Sequence, residues 1–99
     1  MAESILPVLV APADRIGMKE ARHIAGLDPR TLMKLFREHG IGHQARANAP
    51  WVISGPALVL ALHGDMDGLE ALRAGDRDHP RVRRAIDHLH HVLLKSSAT

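Results

Sequence analysis

Arg30, Thr31, Lys34 and Arg37 fall on one side of a helical repeat whose other side carries Leu32, Leu35 and Phe36. Guanidinium and ammonium groups set at such intervals neutralise successive phosphates, and the first turns of such a helix can also offer hydrogen bonds to base edges. A second group, His43, Gln44 and Arg46, follows in a stretch with no helical period. There Arg46 adds one more phosphate-seeking charge, flanked by two hydrogen-bonding side chains able to reach a neighbouring phosphate or a minor groove. Both groups suit the binding of a polyanion. The charge distribution agrees: residues 15–46 hold seven basic against three acidic residues, a local balance of +4, whereas residues 65–78 hold two against five, or −3.

Other chemistries lack residues in the necessary patterns. The chain has eight histidines and no cysteine. His88, His90 and His91 cluster near the carboxy terminus, and His88 and His91, three apart, share a helical face. A structural zinc site needs four ligands, commonly with cysteine among them, and nothing pairs with these histidines at motif spacing. No nucleophile motif, phosphate loop or paired-carboxylate arrangement is visible. The expectation is a non-enzyme without metal, cofactor or small-molecule substrate.

The elements that would position the basic groups are marked by punctuation residues. Met18, Ala21, Ile24 and Ala25 have the three-and-four spacing of one helical face, opened by Gly17 and closed by Gly26, a residue suited to the left-handed backbone that ends a helix. Asp28 is a strong N-cap, and Pro29 fits the first helical position, where its missing N–H is not missed. Gly40 and Gly42 stop this second helix. The segments 42–46 and 51–53 flank a loose tip, Ala47-Asn48-Ala49-Pro50. That is a hairpin pattern with Trp51 and Ile53 on one face, and Trp51 there clamps the hairpin to the helix rather than stacking on bases. Helices are then expected from Pro56 through Leu62, over one or two turns from an Asp67 cap past Leu69 and Leu72, and from Pro80 onward with Val82, Ile86, Leu89 and Leu93 as its stripe.

At the residue level, the run Lys19-Glu20-Ala21-Arg22-His23-Ile24-Ala25-Gly26-Leu27-Asp28-Pro29-Arg30-Thr31-Leu32 resembles the MerR-like and excisionase-like winged helix-turn-helix families. Trp51-Val52-Ile53-Ser54 with Leu58 resembles their wing strand and the helix after it. The resemblance covers about residues 15–63. Two positions depart from the family pattern: Val52 stands where a basic residue often follows the tryptophan, which weakens the wing grip, and Arg22 replaces an alanine and must face outward. What the resemblance implies is sequence-specific binding of double-stranded DNA, by Arg30, Thr31, Lys34 and Arg37 in the major groove and by His43, Gln44 and Arg46 on the wing. A transcription regulator, a recombination directionality factor and a DNA-recognition subunit for phage packaging all fit; a protein-interaction adaptor without DNA binding is the alternative of a different class.

The fold class expected is mainly α with a small β-hairpin wing, a winged helix-turn-helix plus a carboxy-terminal helix. Residues 1–14 form an extended arm or edge strand, because Pro7 and Pro12 interrupt an apolar run. Residues 15–63 form the DNA-binding domain, 64–79 an acidic linker with a short helix, and 80–95 an amphipathic helix. The last packs on the domain or on a second copy, giving a homodimer. Ninety-nine residues fit one domain. No segment reaches the roughly 20 apolar residues of a membrane span, and the run from Ile5 to Val10 is short for a signal peptide and lacks a basic leader. A cytoplasmic protein is expected.

Overall fold

A computed structural model describes residues 7–97, and shows five helices around a three-stranded antiparallel sheet. The part of the expected amino-terminal arm in residues 1–6 lies outside the described residues. Residues 7–11 are irregular, but Val8 is buried and its N–H donates to the Gly40 carbonyl at 2.8 Å. A single 3-10 turn, Pro12–Asp14, leads into the edge strand β1 (Arg15–Ile16). The edge strand thus starts later than the proline-interrupted run, since proline cannot donate to a ladder.

Helix α1 (Met18–Ala25) begins at Gly17, whose N–H is held by the Glu20 carboxylate at 2.9 Å. Gly26 follows at φ +67°, so the chain turns through the left-handed region that glycine enters at little cost. Three residues later Pro29 opens α2 (Pro29–His39). Its Leu32 and Phe36 are fully buried, each burial stabilising the fold by about 1.5–3 kcal/mol, and Leu35 is half-buried. The hairpin consists of β2 (Gly42–Gln44) and β3 (Trp51–Ser54), with Gly42 opposite Ile53 and Gln44 opposite Trp51. Strand β3 lies in the middle, because β1 pairs along its other edge through Ile16 and Ile53.

The remaining helices build the other half of the core. Helix α3 (Gly55–Leu62) is capped by Ser54, whose hydroxyl accepts from the Ala57 N–H. Its Ala57, Leu58, Val59 and Leu60 are all buried; a helix apolar all round belongs inside, and this one packs against α1, α4 and α5. Helix α4 (Met66–Arg73) is capped by Asp65, which accepts from the Gly68 N–H at 3.0 Å. This corrects the expected cap: Asp67 sits inside the first turn, because the chain reverses at Gly64 and commits to helix two residues earlier.

Helix α5 (Pro80–Ser97) runs as one piece. Of the two partners expected for its stripe, the chain itself takes most of it: Val82, Ile86 and Leu89 are buried, with Ala85 beside them, and α5 packs against α3 and α4. Leu93 is half-buried and Leu94 exposed. A second copy docking on α5 would have to use residues other than those three. Among the described residues no helix is long and apolar enough to cross a membrane.

Candidate nucleic-acid interface

The α1–α2 corner sets which side chains α2 offers outward. With Leu32 and Phe36 fully buried on the inner side, Arg30, Thr31, Lys34 and Arg37 are all exposed on the outer side. Lys34 and Arg37 make no hydrogen bond or ion pair among the described residues. Arg30 has only an electrostatic attraction to Asp28. Arg30, Lys34 and Arg37 therefore form a ready donor surface, with the Thr31 hydroxyl turned to Asp28.

Asp28 occupies the N-cap, though its side chain completes no cap hydrogen bond of full geometry. The Thr31 hydroxyl, with lesser help from the Thr31 backbone N–H and from Arg30, holds its carboxyl below the usual aspartate value. A carboxylate at this end offsets the positive pole of the helix, which would otherwise attract an anion. The outward donors of α2 are thus its side chains and not its amino terminus.

The hairpin is held to α2 by aromatic and steric fit. The rings of Trp51 and Phe36 lie 5.3 Å apart at 52°, a tilted pairing typical of packed aromatics. Trp51 is half-buried, as expected of a clamp. A Cβ on Gly42 would stand 3.1 Å from the Phe36 ring and 3.2 Å from Ile53, so any larger residue there would require the ring or Ile53 to give by a few tenths of an ångström. The connection from Ala45 to Pro50 is longer than the expected tip, because β2 ends at Gln44. Its shape comes from Asn48 at φ +69°, from the Ala49 N–H donating to the Arg46 carbonyl, and from the Gln44 side-chain amide donating to the Ala49 carbonyl at 2.8 Å.

His43, Gln44 and Arg46 are exposed, but the hairpin does not bring them to one face. Successive residues of a strand point to opposite sides, so His43 and Gln44 diverge, and the Gln44 amide already serves the loop. Arg46 makes no side-chain hydrogen bond or ion pair among the described residues and stands at the tip.

Two features escaped the sequence reading. Lys19, Arg22 and His23, exposed on α1, line a depression of about 650 Å³ that ends at Leu27 and Asp28, directly beside the start of α2. They extend the basic surface across the corner. The second feature is a clamp on the far end of α2: the Arg73 guanidinium donates to the His39 carbonyl at 2.9 Å. The sequence signal for Lys19 and Arg22 was present in the charge count; Arg73, 34 residues from its acceptor, gave none. No group of three or more potential metal ligands occurs among the described residues. Comparison with protein-family models, curated proteins and solved structures finds no match for the chain.

Proposed function

We propose that this chain binds double-stranded DNA as a winged helix-turn-helix protein, with α2 in the major groove and the β2–β3 hairpin as the wing. The observation that carries the reading is the outer face of α2: Arg30, Thr31, Lys34 and Arg37 are exposed and aimed away from a fully buried Leu32 and Phe36. Three arrangements support it. A three-residue turn joins α1 to α2, a hairpin follows α2 at once, and the sheet order β1-β3-β2 ties that hairpin to the strand before α1. Helix, turn, helix and wing in this order are what a groove-reading module requires.

In this reading Lys19 and Arg22 meet the backbone beside the groove, Arg30, Thr31 and Lys34 reach base edges or flanking phosphates, and Arg37 and Arg46 grip phosphates. A transcription regulator and a recombination directionality factor both use such a module, as does a packaging subunit; footprinting around the gene distinguishes their sites.

The test is a pair of titrations, a specific site selected from random sequence against random duplex, over a range of salt. With about five phosphate contacts, log affinity should fall with log salt at a slope of roughly −4 to −5. Arg30→Ala should weaken the specific site by about 1–3 kcal/mol and random duplex less, as loss of a base contact does. Arg46→Ala should weaken both alike and shallow the slope by about one. A flat salt titration of the wild type ends the reading.

A further inference from the structure

Helix α5 presents a charge bias that holding the core does not need. Its inward residues are Val82, Ala85, Ile86 and Leu89. The opposite side exposes Arg81, Arg83 and Arg84 together with His88, His90 and His91, against Asp87 as the acid of residues 80–94. Solvated helix faces ordinarily mix both signs. Arg81 is committed to Asp65 at 2.8 Å, but Arg83 and Arg84 make no hydrogen bond or ion pair among the described residues.

Part of this face is also held in place. The His88 ring meets His63 edge to face at 5.8 Å, and His63 is itself fixed by its Nδ1–H donating to the Val59 carbonyl at 2.8 Å. Arg84 and His88 border a groove of about 610 Å³ between α5 and the α3–α4 turn. From Arg83 to His91 the cationic and protonatable groups extend about 12 Å along the helix. This face belongs to a different part of the surface from α2, since α5 packs on α3 and α4 while α2 packs on α1 and β2.

We propose that the outward face of α5 is a second phosphate-binding surface, which holds the sugar-phosphate backbone of a duplex independently of α2. The proposal rests on the DNA reading above. Arg83 and Arg84 supply fixed charge. His88, His90 and His91 add ring N–H donors beside it.

The experiment measures affinity for random-sequence duplex against salt, using the full chain. Replacing Arg83→Gln together with Arg84→Gln should reduce the steepness of the log–log slope by about two. Arg83→Lys with Arg84→Lys should keep it, which separates charge from any effect on folding. Arg30→Ala with Arg37→Ala is measured alongside. If the α5 variants lose slope while that α2 pair changes nothing, this proposal stands and the placement of α2 in the groove falls. If the α2 pair weakens binding and the glutamine variants keep the wild-type slope, the α5 surface is overturned and its charge suits an acidic protein instead. A wild type that binds no duplex overturns both.

Discussion

The arginines of the amino-terminal half and those of the linker have the same chemistry and opposite employment. In α2 and the hairpin, Arg37 and Arg46 stand exposed without a hydrogen-bonded partner, and Arg30 feels only the field of Asp28. In the linker, Arg73 reaches the His39 carbonyl and Arg77 grips the buried Asp14 through both nitrogens, one at 3.1 Å; just beyond it on α5, Arg81 binds Asp65. An exposed arginine held in no contact keeps its donors and its side-chain entropy for an external ligand. One that answers a buried carboxylate is part of the fold, because removing it strands a charge in a poor solvent. The acidic linker therefore does more than balance charge: it carries the arginines that fasten the basic half in place.

The comparison breaks first, and most severely, at the core both halves share. Leu89→Asp places a carboxylate where a leucine is 1% exposed. The lost burial and the unpaired charge together should cost more than about 5 kcal/mol, comparable to the whole stability of many small domains. Circular dichroism should show an unfolded chain at room temperature. A folded monomer would mean that the α5 stripe is not core.

Arg77→Ala tests the contrast directly. It leaves Asp14, only 3% exposed, without its guanidinium; because Arg77 is itself partly open to solvent, the loss should fall near the lower end for a broken buried pair, about 3 kcal/mol. Arg37→Ala should change stability by less than about 0.5 kcal/mol. Urea unfolding of the two variants decides it, and equal losses would erase the distinction between structural and free arginines.

A smaller effect sharpens the role of the hairpin. Gly42→Ala should cost about 1–2 kcal/mol, since the added methyl must push aside the Phe36 ring or Ile53. On the proposed DNA-binding function it should also weaken duplex binding by displacing the hairpin, while Gln44→Ala leaves stability nearly unchanged. Wild-type melting of Gly42→Ala would show that the hairpin is not braced on α2.

The least effect is electrostatic. The Gly68 N–H, and next to it Arg81, hold the Asp65 carboxyl below its ordinary value of 3.8. Its folded-state pKa is depressed, so its contribution is complete above that value and disappears as the pH falls through the lowered one. Asp65→Asn should be less stable than wild type at neutral pH, and the two unfolding curves should converge toward pH 2. A gap that persists there would assign the role of Asp65 to shape and not charge.

What could be read in advance was local. Asp28-Pro29 fixed the start of α2, Gly26 and Gly40 ended helices at positive φ, and period-two spacing put Trp51 and Ile53 on one face. The outer face of α2 followed from the Leu32, Leu35 and Phe36 stripe within those bounds. The third strand stayed hidden because two residues, Arg15 and Ile16, carry no period. The capping role of Asp65 was hidden by Asp67, an equally good candidate two positions on. The clamps of Arg73 and Arg77 depend on partners 34 and 63 residues away, and no spacing rule reaches so far. His43 and Gln44 were grouped by chemistry, whereas the strand sends them to opposite faces.

The Asp14–Arg77 pair joins positions 63 residues apart, and it has a consequence for how the molecule comes together. Such a contact can form only after nearly two thirds of the chain has closed on itself, which raises contact order and slows folding relative to a bundle of local contacts. The basic half is thus no cassette to be lifted out. A fragment of residues 15–63 would carry an all-apolar α3 stripped of α4 and α5, and would be expected to clump in solution. A tag or fused partner should be joined outside this closed loop, never spliced between α3 and α5.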